Sequence, residues 1–401
     1  MKNINFELSE DQKGFIHWFK SQSNKVCVLT GNAGTGKTTM MKLVDRSFGK
    51  AVWCAPTHKA KDILLKQIEK GSVYTIDSAL GLRPVFDPTK GRTDFIPRGP
   101  GKLDYQELAV FDESSMIDEQ KLQWILEKRI DKILFVGDPA QLPPVGHENG
   151  KSPVFAQGFP TYTLTKVYRQ DDGSPILNFA TDVRFTGGKD PEKHKIKTVG
   201  LTFENVMEFF RRYPDGVALC PTHDEKEFAN KAARAVIGGG DQDYNKGERL
   251  LLESPIEPPR GPQNGDNVWI DSVPVQAMFE GFCVWEMTVR DTMGIEYEII
   301  IPKDEKEKQA INKRIKKLSK EYRKDPSISL ESEMKRLSEN ITLAGHGYAV
   351  TVHKSQGSTY EDVLFMTGGM RFFNGLEMKK RMAYTAITRA SKNLFLCDGV
   401  L

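Results

Sequence analysis

A chain of 401 residues with 39% apolar side chains has enough material for two to four packed units. Its 57 Lys and Arg against 54 Asp and Glu leave a net charge of +3, too little by itself to announce a nucleic-acid partner. No apolar run approaches the ~18 residues of a membrane span, and the N-terminus lacks the apolar core of a signal peptide. Five dispersed cysteines (Cys27, Cys54, Cys220, Cys283 and Cys397) form no Cys-x-x-Cys pair, which argues against a disulfide framework and against zinc. The expectation is a cytoplasmic protein with buried thiols and no membrane partner.

In chain order, Val26–Thr30 reads as a short buried strand and Thr38–Phe48 as a helix with apolar Met41, Val44 and Phe48 at helical spacing. Between them Gly31-Asn-Ala-Gly-Thr-Gly-Lys37-Thr38-Thr39 fits the G-x-x-x-x-G-K-T spacing of a Walker A loop. Strand, glycine turn and helix start together make a phosphate cradle: Gly34, Thr35, Gly36 and Thr39 offer backbone N–H groups, Lys37 reaches the β- and γ-phosphates, and Thr38 can hold Mg²⁺. ATP and Mg²⁺ are therefore the expected cofactors. Short apolar runs continue at Ala51–Ala55, Leu108–Phe111 and 133–136, alternating with helical patterns, the signature of a parallel sheet covered on both faces. Residues 83–104 break the alternation with Pro, Gly and charge, and read as an inserted hairpin or loop carrying Phe95. Asp112-Glu113 ends a strand about 75 residues after Lys37, the Walker B position: Asp112 for the Mg²⁺ shell and Glu113 to orient or deprotonate water.

A second α/β segment begins near Asp171, with a strand at 217–220 and a helix over 222–236. From Pro262 to Ile301 the runs turn short and β-like, predicting a small antiparallel sheet or barrel in which Phe279, Phe282 and Trp285 either stack bases or form its core. Residues 303–337 are charged and helical; within 303–324 stand ten Lys or Arg against four Asp or Glu, a solvated arm or a contact surface. Strand patterns return after Leu343.

Beyond these parts, Gly137-Asp-Pro-Ala-Gln141-Leu-Pro-Pro, Ala55-Pro56-Thr57-His58-Lys59-Ala60, Thr75-Ile-Asp77-Ser, Tyr168-Arg169-Gln170, Val350-Thr351-Val-His353-Lys354-Ser355-Gln-Gly357 and Tyr384-Thr-Ala-Ile-Thr-Arg389 fall in the order of a known motor. From Gln12 to Arg389 the chain resembles the superfamily 1B helicases, the 5′-to-3′ branch with RecD-like and phage Dda-type enzymes. The resemblance implies an α/β fold of two RecA-like P-loop domains: residues 1–170 with a pin insert at about 82–104, then 171–262 with 346–401, interrupted at 263–345 by a small β-barrel and helical arm. It implies that Gln12 reads adenine, that Gln141 senses the γ-phosphate, that Arg169 and Arg389 face it, and that Gly357 sits in the motif joining ATP to nucleic acid. Pro56, Thr57, His58, Lys59, Thr75, Thr351, His353, Lys354 and Ser355 are implied DNA contacts, and Phe95 the aromatic tip of a strand-separating pin. Asp77 departs from the family's usual His, so that contact is weak or Asp77 points away. The implied function is an ATP-dependent 5′-to-3′ DNA helicase acting as a monomer on single-stranded and fork DNA in phage replication or recombination, in the host cytoplasm, with single-strand-binding or replication proteins as further partners. The alternatives are a single-strand translocase or remodeller without strong unwinding, and an accessory nucleic-acid-binding subunit.

Overall fold

The computed structural model describes residues 9–48, 51–99, 101–147, 150–166, 174–188, 190–237, 243–257 and 261–398. The first part runs α1 (Glu10–Ser21), β1 (Val26–Gly31), α2 (Lys37–Ser47), β2 (Ala51–Ala55), α3 (His58–Leu65), β3 (Ser72–Thr75), α4 (Ile76–Leu80), β4 (Leu82–Asp87), β5 (Arg92–Pro97), β6 (Gln106–Phe111), α5 (Glu119–Leu126), β7 (Ile130–Gly137), α6 (Pro153–Ala156) and β8 (Thr161–Leu164). Six of these strands form a parallel sheet in the order β3-β2-β6-β7-β1-β8. Alternation along β6 explains why the sheet is covered on both faces. Leu108 and Val110 join Phe15, Met41 and Trp53 on one side, and Ala109 and Phe111 join Ile76, Leu122 and Phe135 on the other.

The second part adds α7 (Pro175–Thr186), β9 (Lys197–Val199), α8 (Phe203–Arg212), β10 (Val217–Cys220) and α9 (His223–Ile237). Then come β11 (Arg249–Leu252), β12 (Asn267–Ile270), β13 (Val275–Phe279), β14 (Phe282–Arg290), β15 (Glu296–Pro302), α10 (Glu305–Lys324), α11 (Ile328–Glu339) and β16 (Ala344–His346). The chain closes with β17 (Ala349–Thr351), β18 (Tyr360–Met366), α12 (Leu376–Ile387) and β19 (Ala390–Cys397). A second parallel sheet has the order β17-β10-β18-β19-β9, so chain from before and after the antiparallel segment shares one sheet. Two RecA-like α/β units result. No described helix is long and apolar enough to cross a membrane.

The antiparallel sheet takes in more chain than the short β-runs suggest. Strands β11 and β16 pair with each other, and β11 also pairs with β12, so the sheet begins upstream of Pro262. Phe279 and Phe282 pack with the α10–α11 cluster of Ile315, Leu318 and Leu337, and Trp285 packs on the sheet's own core beside Tyr244. Of the two readings of these rings, the structure gives the core. The charged run is two helices rather than one, because Asp325-Pro326 ends α10. Cys27, Cys54, Cys220 and Cys397 are buried and Cys283 is half-buried, all as free thiols.

Residues 82–97 form a two-stranded antiparallel hairpin, β4 with β5, in which Phe95 pairs opposite Pro84. Phe95 is 52% exposed, but it stands within β5 and not at the 88–91 turn, so the expected aromatic tip is a mid-strand ring. The hairpin's far end leans on α10: Phe86 joins the arm's apolar cluster, Ser319 Oγ donates to Thr89 O at 2.6 Å, and Arg323 Nε donates to the same carbonyl.

Asp45 in α2 sets the edge of the first sheet. Its fully buried carboxylate accepts from the backbone N–H groups of Glu69 (3.0 Å), Lys70 (3.0 Å) and Gly71 (3.1 Å), fixing the turn that leads into β3. Asp45→Ala removes the buried acceptor shared by three half-exposed backbone donors, and urea unfolding is expected to show a loss of about 1–2 kcal/mol; a loss under about 0.5 kcal/mol would mean that the turn holds itself.

Candidate nucleotide site and nucleic-acid face

The glycine turn is built as its sequence requires. Gly34 and Gly36 have φ of 83° and 85°, the left-handed region that only glycine enters without strain, and Gly36 caps α2. Lys37 Nζ donates to Gly31 O at 2.6 Å and Asn32 O at 2.9 Å, lying along the turn. Thr38 is exposed in the first turn of α2. Thr35 is buried and donates to Asn32 O at 2.9 Å, so its hydroxyl shapes the loop. A capping box with Ser9 anchors Gln12 at the start of α1, and its Nε2 would stand 2.6 Å from a Cβ on Gly36. That buried amide nitrogen has no protein partner among the described residues.

Asp112 and Glu113 follow β6 beside this turn. Asp112 N donates to Cys54 O at 2.8 Å, and Asp112 Oδ1 accepts from Glu113 N at 2.9 Å. Burial, with the charge of Glu113 added, pushes the Asp112 carboxyl up, while Lys37 opposes the rise. Glu113 sits at φ 47°, a left-handed conformation rare outside glycine, the kind of backbone strain that clusters at functional sites. A half-buried carboxylate crowded by a second one favours a cation, and the unpartnered Gln12 Nε2 against Gly36 favours a polar ring. These residues fit ATP with Mg²⁺, Thr38 and Asp112 being the groups that would hold the metal.

The loop after β7 is where the two sheets meet. Asp138 is fully buried; its Oδ1 accepts from Ala140 N at 3.0 Å and its Oδ2 from the Tyr384 hydroxyl at 2.5 Å. The same hydroxyl accepts from Ala33 N, within the glycine turn, at 2.9 Å. Leu142 N donates to Thr385 Oγ1 at 3.1 Å, and Gln356 Nε2 donates to Leu142 O at 2.9 Å. Gln141 is buried beside them with Oε1 unpartnered among the described residues. Burial and the Asp138 carboxylate raise the Tyr384 phenol well above its ordinary pKa, so it stays a donor.

Arg389 is placed differently from the sequence expectation. Its buried guanidinium donates to Thr385 O (3.2 Å), Ser358 O (3.2 Å) and Thr388 Oγ1 (3.2 Å), all in its own unit; Tyr384, five residues earlier, is what touches the glycine turn. Arg169 lies outside the described residues. Sequence reading passed over Tyr384, Asp138 and Gln356 as site residues, although a phenol on the buried face of α12 and a carboxylate at a strand end were visible signals.

The implied DNA contacts divide into two sets. Thr57 caps α3 by accepting from Ala60 N at 3.2 Å, and His58 and Lys59 follow in its first turn. Burial, then Lys61, lowers the pKa of His58; burial also lowers that of Lys59, whose Nζ stands 4.5 Å over the Tyr360 ring across the cleft. Gly357 closes on the same helix start, where a side chain would meet Ala60 Cβ at 3.2 Å. Pro56 is half-buried at the foot of α3. Thr75 and Ser355 correct the expectation: Thr75 is buried and caps α4 through Ser78 N, and Ser355 is fully buried with its hydroxyl on Val352 O at 2.7 Å. Asp77 turns to Lys121, 2.6 Å away. Thr351 accepts from Lys354 N at 3.4 Å, and His353 lies in the turn between them.

Lys354 Nζ reaches Glu253 at 2.9 Å, where Lys308 (3.2 Å) and Lys226 (3.8 Å) also converge beside a recess lined by His223, His346 and Thr351. Burial raises the Glu253 carboxyl, but the hydrogen bond and charge of Lys354, with Lys308 and Lys226, outweigh it and hold its pKa to about 2. A folded pKa below the ordinary 4.5 stabilises the fold above that pH, and the contribution is lost as pH falls from about 4.5 toward 2. Glu253→Gln is therefore expected to cost on the order of 2 kcal/mol at pH 7 in urea unfolding, with the gap to wild type narrowing below pH 4.5. A gap independent of pH would show that the carboxylate's charge is not what holds the lysines.

Sequence and fold comparisons agree with this layout. The AAA domain family matches residues 7–194, and the UvrD-like helicase C-terminal domain matches 346–397. The ATP-dependent RecD2 DNA helicase of Deinococcus radiodurans is 27% identical over 97% of this chain; the chain spans 48% of that protein, about half its length. The ATP-dependent DNA helicase Pif1 of Bdellovibrio bacteriovorus is 26% identical over 89% of this chain and 81% of its own length. A Pif1 helicase from Bacteroides, crystallised with ADP-AlF3 and single-stranded DNA, shares the fold with a TM-score of 0.54 at 18% identity, covering 98% of this chain and 92% of its own. Along its whole motif order the chain is similar to helicases of the superfamily 1B type.

Proposed function

We propose that this chain is an ATP-driven DNA helicase that moves 5′ to 3′ along a single strand and opens the duplex ahead of it. The observation that carries the reading is one cleft with two kinds of chemistry. On one side, a phosphate-cradling turn with Lys37, Asp112, Glu113 and Gln141 meets the segment of the second unit that carries Arg389. On the other, Thr57, His58 and Lys59 meet Gly357 and Tyr360, a few residues beyond Thr351 and Lys354. A change at the nucleotide end thus shifts the groups offered to DNA phosphates.

In this scheme Gln12 holds the base, Lys37 and the N–H groups of the turn hold the phosphates, and Glu113 orients the attacking water. Bound Mg²⁺ supplies charge neutralisation across the phosphates. Arg389 and Arg169 complete the site when the cleft adjusts to nucleotide. Lys226, Lys308 and Lys354 converge on Glu253, and a DNA phosphate that recruits Lys354 has to compete with that carboxylate. The RecD2 and Pif1 relatives bear the name ATP-dependent DNA helicase, which supports the reaction class. Monomeric action in the cytoplasm during replication or recombination, the phage setting included, is proposed on the family resemblance, with fork DNA and single-strand-binding or replication proteins as partners.

Two DNA duplexes identical except for the end that carries a single-stranded tail provide the test, with ATP turnover followed in the same tubes and Lys37→Ala setting the background. The 5′-tailed duplex is expected to open and the 3′-tailed one to stay closed. Opening from the 3′ tail would put the polarity in error, and tail-stimulated turnover without strand separation would favour the translocase reading.

The exposed ring of Phe95 on a braced hairpin suits capping of the first base pair. With stacking worth ~1–3 kcal/mol, Phe95→Ala is expected to slow unwinding about fivefold or more while DNA-stimulated ATP turnover stays within about twofold. Equal loss of both activities would remove the pin role.

A further inference from the structure

The hydroxyl of Tyr384 makes two hydrogen bonds that both cross the cleft, one from the glycine turn and one to the loop of Gln141. We propose that Tyr384 is a positioning residue that clasps the two RecA-like units: the Ala33 N–H, the Tyr384 hydroxyl and the Asp138 carboxylate form a relay through which the state of the phosphate-binding turn fixes helix α12, and with it the distance of Arg389 from the site. The inference rests on the ATPase reading above and adds to it the part that couples turnover to domain placement.

Three observations carry it. Tyr384 is 2% exposed, so both bonds are made out of water and their geometry is tightly set. Asp138 is fully buried and its two oxygens are divided: one accepts from Ala140 N within its own loop and the other from Tyr384, so releasing the tyrosine leaves a buried carboxylate short of a donor. The packing is continuous on both sides of the relay, since Leu142 lies in the apolar cluster of Met382, Ala383, Tyr384 and Ile387, with Ala33 and Ala140 against it.

The relay also accounts for where Arg389 stands. Its guanidinium is held by Thr385 O, Ser358 O and the Thr388 hydroxyl, so it can move toward the turn only if the end of α12 moves with it. Tyr384 precedes Thr385 on that helix. A nucleotide that reshapes the turn at Ala33 therefore acts on Arg389 through one intervening side chain. Removing the hydroxyl leaves Lys37, Thr38 and the turn's glycines in place, frees the Ala33 N–H, and loosens the helix that delivers the arginine.

Tyr384→Phe keeps the ring and removes only the relay, and Asp138→Asn weakens it from the other side. Both variants and the double variant are assayed for single-strand-stimulated ATP turnover. Spin-label distances are measured without nucleotide between Leu65→Cys and Leu376→Cys, both exposed positions on opposite units, in a Cys283→Ser background. Each single variant is expected to lower kcat about tenfold with KM for ATP within about twofold, and the double variant to be no slower than the singles. Each is also expected to broaden the distance distribution. Wild-type kcat in Tyr384→Phe, or losses that multiply in the double variant, would overturn the clasp. A wild-type protein with no turnover would refute the ATPase reading instead; the distances then decide the clasp alone, with unchanged distributions in the variants overturning it and broadened ones supporting it.

Discussion

The contact between the loop after β7 and the α12 segment is the constraint on which the rest of the molecule depends. Each parallel sheet is complete in itself, with both faces covered by its own helices. What makes one cleft out of two sheets is a short list of groups: Asp138 and Leu142 from one side, Tyr384, Thr385 and Gln356 from the other. All five are buried, so the hydrogen bonds between them are made away from competing water, and a shift of one loop cannot leave its partner undisturbed without orphaning a buried polar group. Those neighbours of Gln141 and Arg389 are themselves the interface. Groups suited to hydrolysis and groups that set domain placement thus occupy the same few residues.

Much of this was legible in the chain. The glycine turn needs φ values that only glycine supplies cheaply, and spacing alone located Gly34 and Gly36. The alternation of apolar runs marked two parallel sheets, because strands buried on both faces cannot be written any other way. What the chain could not show is where each polar side chain makes its bonds. Thr75 and Ser355 have the residue type of a phosphate contact, yet both are buried, and the Ser355 hydroxyl donates to a carbonyl three residues back. Arg389 has the right type and position, but its guanidinium bonds to three oxygens beside it. A motif fixes which atoms are present; only the packing decides which way they face. The aromatic residues of the antiparallel sheet make the same point in reverse: Phe279 and Phe282 look like stacking platforms until the arm that covers them is placed.

Electrostatics follows a similar division. A net charge of +3 says nothing about a nucleic-acid face. Three lysines drawn from α9, α10 and the turn after β17 converge on Glu253, with Glu227 and Glu305 beside Lys226 and Lys308, so the cluster is charge-balanced. Its placement is set by the fold rather than by composition. Lys59 is similarly placed by the fold: burial lowers its pKa while the Tyr360 ring supports its ammonium from across the cleft, so the cation proposed to meet DNA is also a cross-domain contact.

The hairpin extends this logic away from the nucleotide. Two antiparallel strands alone are marginal in water, and this pair projects from the first unit between α4 and β6. It is held by contacts beyond its own sheet: Phe86 enters the apolar cluster of the arm, and Thr89 O accepts from Ser319 and Arg323. The arm in turn grows from the antiparallel sheet, whose edge strand β16 runs into β17 and the turn bearing Thr351 and Lys354. The hairpin is thereby fastened to the second unit as well as the first, so relative motion of the units must either carry it along or strain these bonds. A projecting element tied to both halves of a cleft is stiff when the cleft is closed, and stiffness is what the exposed ring of Phe95 requires if it is to bear on anything outside the protein.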